Sequence, residues 1–218
     1  MRKITIITIL ALSAVGSYAQ EESNDSLSIQ AVFDACVAMR DAAAANDTAS
    51  IRQAAADMRD NGATDFGSLR CKDDSIASLD GHLVFSEAFA DSLANGRDAY
   101  SMADDINRSS AHRGQTGDGS ILTKTCFVKA GKSTKYSFAS KGRQELAVVA
   151  EAGGLVTMKV HATNRDGLDK RYDDTKDVKK GRPHRKVVFN LPTDRRNTVE
   201  VEIVNCGKKD CSFVIISN

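Results

Sequence analysis

The chain has 218 residues and a formal net charge of +1, and 41% of its residues are hydrophobic and 27% charged. This length accommodates one large domain or two small ones, and the composition excludes a disordered chain and a wholly membrane-embedded one. With no tryptophan and 6% aromatic residues, the chain has few of the flat side chains that grip sugars or stack on bases. The composition therefore narrows the class of protein without indicating an activity.

The first 19 residues are typical of a secretory signal peptide. Arg2 and Lys3 form a positive start, residues 4–15 are mostly apolar, and Ser17 and Ala19 supply small residues at the cleavage positions. The apolar stretch is shorter than the roughly 20 residues that span a bilayer. We therefore expect cleavage and export to the periplasm, the cell surface or the medium, with a retained anchor as the alternative.

The N-terminal half of the mature chain is expected to be helical. Apolar residues recur at three- and four-residue spacing over residues 27–40, with Ser26 or Ser28 as the cap, and again over residues 48–58. Gly62 is a typical end signal, so these two segments are predicted to form a helical hairpin. Further helices are predicted over residues 86–95 and 98–107.

From residue 120 onward, apolar residues recur with a period of two, which indicates strands. Seven strands are predicted, over residues 121–128, 133–139, 144–150, 156–162, 185–191, 198–204 and 212–217. Short strands separated by turn signals favour an antiparallel β-sandwich, and the charged stretch 164–184 is expected to be a mobile loop. The predicted fold class is therefore α+β. The predicted organisation is a signal peptide (1–19), a helical module (20–107), a glycine-containing linker (108–119) and a β-sandwich (120–218).

The start of the predicted sandwich resembles a bacterial domain family. Residues 130–138, Ala-Gly-Lys-Ser-Thr-Lys-Tyr-Ser-Phe, are similar to the opening strand of pre-peptidase C-terminal domains, and the segments 156–162, 172–175 and 212–217 follow the order of that family. The resemblance implies a non-catalytic β-sandwich appendage of a secreted protein that binds ligands or aids export. The whole chain also resembles exported proteins of Gram-negative bacteria.

Export changes the interpretation of the five cysteines, because cysteines tend to pair in an oxidising compartment. Cys206 and Cys211 flank a predicted hairpin loop, where facing residues lie about 4.5–5.5 Å apart, so a disulfide is expected there. A second disulfide, between Cys36 and Cys71, would tie the first helix to the segment after the second helix. Cys126 would remain unpaired in a strand. The alternative is that all five are small apolar fillers.

The near-zero net charge is a cancellation between two unlike halves. Residues 20–119 hold 8 basic and 18 acidic residues, a net charge of −10, whereas residues 120–218 hold 20 basic and 11 acidic residues, a net charge of +9. The residues predicted to bind a partner are Lys179, Lys180, Arg182, Arg185, Lys186, Arg195 and Arg196. Basic residues on strand-end loops can hold phosphates or an acidic polysaccharide, and solubilising loops are the alternative.

The remaining motifs give no catalytic site. The sequence has no nucleophile elbow and no closely spaced histidine pair, and the acidic loop 166–177 lacks calcium-loop spacing, so no catalytic residue, metal or cofactor is predicted. Asp-Ser/Thr-aliphatic triplets mark Ser26, Thr48 and Ser75 as acceptors for periplasmic O-glycosylation. The same triplets are also typical of helix starts, which is the alternative.

These observations predict an exported, non-catalytic binding or assembly protein of the cell envelope. Basic loops of the sandwich would contact an anionic polysaccharide, another glycan or a protein, and nucleic acid is not expected because of the compartment and the few aromatic residues. No transmembrane segment is expected after signal cleavage. The alternatives are an envelope-directed hydrolase without a recognisable motif, and a structural protein whose acidic and basic halves dock within or between chains.

Overall fold

The structure, a computed structural model, describes residues 28–71, 81–95, 121–173 and 181–218. In these residues the elements are α1 (Gln30–Ala44), α2 (Thr48–Asp60), β1 (Ala63–Asp65), β2 (Arg70–Cys71), α3 (Glu87–Ala94), β3 (Ile121–Val128), β4 (Ser133–Ser140), β5 (Arg143–Ala150), β6 (Val156–Thr163), β7 (Asp169–Asp173), β8 (His184–Asn190), β9 (Asn197–Asn205) and β10 (Cys211–Ser217). All seven predicted strands form, and three more (β1, β2 and β7) are present. The last of these lies in the stretch that was expected to be a mobile loop. The helix predicted over residues 98–107 and the linker 108–119 lie outside the described residues.

The strands form two five-stranded sheets. Sheet A has the order β1-β3-β10-β5-β8, and sheet B has the order β2-β4-β9-β6-β7. Neighbouring strands are antiparallel, except that β1 is parallel to β3. Since β1 and β2 come from the N-terminal half of the chain, that half supplies one edge strand of each sheet.

The apolar core between the sheets contains residues from both halves of the chain. Phe213 and Leu146 of sheet A pack against Met158 and Ile203 of sheet B, all of them buried. Phe66, between β1 and β2, is 1% exposed and belongs to the same core. Its ring meets that of Phe138 edge-on, with centroids 5.0 Å apart, which is a favourable geometry for an aromatic pair. Phe66 therefore anchors the N-terminal half within the sandwich.

A second core lies between the helices and the outer face of sheet A. Its members from the helices include Val32, Cys36, Met39, Ile51, Ala54, Ala55 and Met58, and its members from sheet A are Ile121, Ala147, Val149, Val214 and Ile216. The described part of the chain is thus a three-layer arrangement of helices, sheet A and sheet B. The helices and the sandwich share this core.

Among the residues that the structure describes, sheet B is covered on one face only, as β9 illustrates. Val199, Val201 and Ile203 are buried between the sheets, whereas Glu200 and Glu202 alternate with them on the outer face. This alternation is typical of a strand with one solvent-facing side. In the described part of the chain, the outer face of sheet B and the loops at the ends of the sandwich therefore face solvent.

Side chains near both helix starts accept backbone hydrogen bonds, and at α1 a tertiary contact adds to them. Asp47 caps α2 by accepting a hydrogen bond from Ser50 N at 3.1 Å, as expected of a helix start. At α1, the predicted candidate Ser28 accepts from Gln30 N through its Oγ at 3.3 Å, and Glu145 of β5 accepts from Ile29 N at 3.3 Å. A carboxylate from the sheet thus lies at the positive end of α1, where it is electrostatically favourable.

Neither predicted disulfide forms, and all five cysteines are free thiols. Cys206 follows β9 of sheet B and Cys211 begins β10 of sheet A, so the loop between them crosses from one sheet to the other and is not a hairpin. Cys36 lies in the helical core with its Sγ 3.7 Å from Met58 Sδ, whereas Cys71 lies on an edge strand of sheet B. Cys126 is buried in β3, as expected.

Candidate functional site

Two of the predicted binding residues are engaged inside the fold. Arg185 is 7% exposed and lies on β8 in the same phase as the core residue Phe189. Lys186, on the opposite face of β8, pairs with the buried Glu145 at 3.1 Å and donates to Gln30 Oε1 at 3.0 Å. These two cations therefore act in packing the edge of sheet A and in holding α1 against it.

Two more of the predicted binding residues, Arg195 and Arg196, lie at the end of the sandwich where β8 finishes. Arg195 pairs with Asp194 at 2.7 Å and with Asp166 at 2.6 Å, and its hydrogen bonds lower the pKa of the Asp194 carboxyl. Arg196, its neighbour, is exposed on the same loop. This loop follows the C-terminal end of β8, whereas Arg182 precedes the N-terminal end of that strand. The predicted residues are therefore not gathered into one patch, and Lys179 and Lys180 lie outside the described residues.

The end of the sandwich that carries Arg182 is strongly basic. Three loops meet there: the β3–β4 loop, the segment before β8, and the β9–β10 loop. They carry five exposed cations, which we call the basic end: Lys129, Lys132, Arg182, Lys208 and Lys209. Of these five residues, only Arg182 was predicted from the sequence to bind a partner, because the other four are separated from it along the chain by up to about fifty residues.

Asn205, at the end of β9, holds two of these loops together and is 1% exposed. Its Nδ2 donates to Val128 O at 3.3 Å and to Lys209 O at 2.8 Å, while its Oδ1 accepts from Gly207 N at 2.8 Å. Its backbone N also donates to Lys132 O at 2.9 Å. One buried amide therefore fixes the backbone on which three of the five cations are carried.

The segment before β8 is packed tightly against the β9–β10 loop. Gly181 lies so close that a Cβ at this position would be 2.7 Å from Cys206 Cβ and 3.0 Å from Leu155 Cβ. Cys206 N donates to Leu155 O at 2.7 Å, and Arg182 forms a backbone bridge with Val156. This close approach requires glycine at position 181. The same packing places Arg182 next to the loop that carries Lys208 and Lys209.

The carboxylates at this end accept hydrogen bonds from the protein. Asp210 Oδ1 accepts from Ala130 N at 2.9 Å, which joins the β9–β10 loop to the β3–β4 loop. Glu151 accepts from His82 Nδ1 at 2.6 Å, from Leu83 N at 3.0 Å and from Ser212 N at 2.9 Å. Because these carboxylates are used to hold backbone segments, the exposed charge of the basic end is positive and is suited to an anion.

The buried cysteine beside Glu151 does not have the chemistry of a nucleophile. Burial, together with the charge of Glu151, raises the pKa of the Cys211 thiol to about 12. The reactive form of cysteine is the thiolate, so this thiol stays protonated at neutral pH. Glu151 and His82 instead dock the segment before α3 onto sheet A.

Replacing Asn205 with alanine is expected to lower the free energy of unfolding by about 1–3 kcal/mol, because two carbonyls and one amide would lose their partner. Urea denaturation followed by circular dichroism measures the change. Asn190→Ala, at an exposed position at the end of β8, is the matched control and should stay within about 0.5 kcal/mol of the wild type. Equal effects of the two substitutions would contradict the role given to Asn205.

Of the three predicted glycosylation sites, only Thr48 lies in the described residues. Thr48 is exposed at the first position of α2, next to the capping Asp47, and its glycosylation stays a prediction. Ser26 and Ser75 lie outside the described residues. In the part of the chain that the structure describes, no group of three or more His, Cys, Asp or Glu residues is placed to hold a metal ion, and no helix has the length and apolar character to cross a bilayer.

Comparison with family models gives no match, and no curated protein matches the chain. Among solved structures, a mitogen derived from Yersinia pseudotuberculosis is 9% identical, with 45% of this chain and 84% of that chain covered and a TM-score of 0.35. TmCBM61, solved in complex with beta-1,4-galactotriose, is 9% identical, with 45% and 81% covered and a TM-score of 0.30. A periplasmic inhibitor of g-type lysozyme from Escherichia coli is 14% identical, with 49% and 92% covered and a TM-score of 0.29. TM-scores this low carry no argument about function, and the resemblance to pre-peptidase C-terminal domains stays a prediction.

Proposed function

We propose that this protein is an exported, non-catalytic binding or assembly protein of the cell envelope, and that its basic end binds an acidic polysaccharide. The observation that carries the proposal is the convergence of five exposed cations from three loops at one end of the sandwich. Export is inferred from the signal-like first 19 residues. The buried Cys211 thiol beside Glu151 is not a thiolate nucleophile, because its pKa is raised to about 12.

An acidic polymer fits the basic end better than a small anion. The cations lie on separate loops and are exposed, so each can contact a different acidic group of one chain. Linked contacts of this kind reinforce one another, because the second contact forms at a high effective concentration. The loops that carry the cations contain no aromatic residue, so charge and hydrogen bonding would supply the affinity in place of ring stacking. Binding of this kind weakens as salt screens the charges.

The proposal is tested by isothermal titration with polygalacturonate, a polymer with one carboxylate per sugar, against neutral galactan. The wild type should bind the acidic polymer at low salt and lose affinity at high salt. A variant with Lys129→Gln, Lys132→Gln, Lys208→Gln and Lys209→Gln should bind about tenfold more weakly or worse, because four exposed cations each contribute up to about 1 kcal/mol.

The matched control neutralises cations at the opposite end of the sandwich, with Arg195→Gln and Arg196→Gln. Its affinity for polygalacturonate should stay within about twofold of the wild type, since Arg195 is already paired with Asp166 and Asp194. Equal binding of galactan and polygalacturonate, or undiminished binding by the four-lysine variant, would contradict the proposed site. Release of reducing ends from either polymer would contradict the non-catalytic part of the proposal.

A further inference from the structure

The outer face of sheet B carries charges of alternating sign at neighbouring positions. The register of β6 with β9 places Lys159 beside Glu202 and His161 beside Glu200. β4 adds Lys135 on the other side of Glu202, and β7 adds Arg171 beside His161. An open depression of about 300 Å³ lies among these side chains. Cations and carboxylates therefore occupy neighbouring positions on this face.

The outer face of sheet B carries both signs, unlike the basic end. Among the described side chains on this face, the cations are Arg70, Lys135, Lys159 and Arg171, and the carboxylates are Asp169, Glu200 and Glu202. Asp169 lies 2.8 Å from His161 Nε2, and this hydrogen bond lowers the pKa of its carboxyl. A polyanion would meet three carboxylates interspersed among the four cations here. The face instead fits a partner whose charges also alternate.

A second copy of the same face is such a partner. When two copies meet face to face about a two-fold axis that runs along the strands, midway between β6 and β9, each β9 lies over the partner's β6. Because the register pairs Glu202 with Lys159 at one level, Glu202 then faces the partner's Lys159. At the next level Glu200 faces the partner's His161. A two-fold axis repeats both contacts, as an isologous interface requires.

The size of the face is sufficient for a weak specific contact. Four strands about 4.8 Å apart, of which β4, β6 and β9 have eight or nine residues and β7 has five, present roughly 500 Å² at about 3.3 Å per residue. Two such faces in contact would bury roughly 1,000 Å², the lower limit for a biological interface. The opposite face of the molecule offers no equivalent surface in the described residues, because helices cover sheet A.

We propose that the outer face of sheet B is the surface through which two copies of this chain associate as a two-fold dimer. The interface pairs Glu202 and Glu200 of each copy with the partner's Lys159 and His161. The proposal is independent of the function assigned to the basic end, which lies on different loops and stays accessible in such a dimer.

Sedimentation velocity of the full-length protein at roughly 20 mM and roughly 500 mM NaCl is the first test. The dimer fraction should rise with protein concentration at low salt and fall at least severalfold at high salt. A wild type that stays monomeric at low salt over the whole concentration range would overturn the proposal. So would a dimer that salt does not weaken.

Charge exchange is the second test. One variant carries Glu200→Lys and Glu202→Lys, and the other carries Lys159→Glu and His161→Glu, so each has a face dominated by one sign. Each variant alone should be monomeric because of like-charge repulsion. An equimolar mixture should restore a dimer of one copy of each, since the introduced lysines of one copy face the introduced carboxylates of the other. Recovery in the mixture also shows that both variants are folded.

The matched control reverses charge at the basic end, with Lys208→Glu and Lys209→Glu. Its dimer fraction should equal that of the wild type, because these lysines lie on the β9–β10 loop and not on the sheet face. Dimerisation of either single-sign variant alone to the extent of the wild type would overturn the proposed interface. A mixture that remains monomeric, or a control that loses its dimer, would do the same.

Discussion

Replacing Phe66 with alanine is expected to lower the free energy of unfolding of the whole chain by about 3–5 kcal/mol. Phe66 is 1% exposed and packs on Phe138 in the core between the two sheets. Removing its ring deletes buried apolar surface and leaves a cavity that rigid strands cannot fill. The effect is large because a residue of the N-terminal half completes the core of the sandwich.

Denaturant unfolding followed by both circular dichroism and tyrosine fluorescence measures the change. A single transition that moves to lower denaturant with both probes is expected, because the helices and the sandwich share apolar cores. Val188→Ala, at a position 47% exposed on β8, is the control and should cost less than about 1 kcal/mol. A Phe66→Ala effect no larger than that of the control would contradict the assignment of this segment to the sandwich core.

Replacing Glu145 with alanine is expected to cost about 2–4 kcal/mol. The carboxylate is 4% exposed and accepts from Ile29 N at 3.3 Å, pairs with Lys186 at 3.1 Å and pairs with Arg143 at 2.9 Å. Its removal leaves the half-buried Lys186 ammonium with only its hydrogen bond to Gln30 and leaves the backbone N–H of Ile29 without an acceptor. The expected cost is below that of a fully buried pair because the Arg143 side chain is 54% exposed and partly screened by water.

A double variant distinguishes the cost of leaving Lys186 without its carboxylate from the cost of removing both charges of the pair. Lys186→Met combined with Glu145→Gln removes both charges at once and keeps side chains of similar size, so it should destabilise the protein less than Glu145→Ala does. Asp194→Ala, which breaks the exposed pair with Arg195, should move the unfolding midpoint far less, because water screens exposed ion pairs. If Glu145→Ala and Asp194→Ala had equal effects on the unfolding midpoint, the buried role of Glu145 would be wrong.

The regular elements follow from local sequence patterns. The period-two segments from residue 121 onward form strands within one residue of the predicted bounds, and the hairpin of α1 and α2 ends at the expected signals. The three strands that were not predicted lack such a pattern. β1 and β2 have three and two residues, and Tyr172 is the only apolar residue of β7. Their partner strands, and not their own periodicity, make them strands.

Two apolar runs in the sequence indicate the packing of helices on sheet A. Residues 147–150 of β5 and 213–216 of β10 are apolar without alternation, and the structure buries all of them. Such runs are typical of strands covered on both faces. The alternating pattern of β9, by contrast, indicates one open face. Read together, these patterns predict a third layer on one sheet only.

The basic end was not predictable from local patterns. Lys129 and Lys209 are eighty residues apart along the chain, and they meet because Asn205 and Asp210 join their loops. In the same way, Arg185 and Lys186 stand in a basic stretch of the sequence, but β8 directs the first toward the space between the sheets and the second toward Glu145. Charge density along a sequence does not specify which strand face or which end a residue occupies.

The sequence by itself determined the cancellation of charge between the two halves, the signal-like start and most strands and helices, because these depend on composition and on neighbours within a few residues. Only the tertiary structure decided which cations are exposed together and which cysteines lie apart. The physical reason is that burial, disulfide geometry and charge clustering depend on contacts between residues distant in the chain, and strand order in the two sheets sets those contacts.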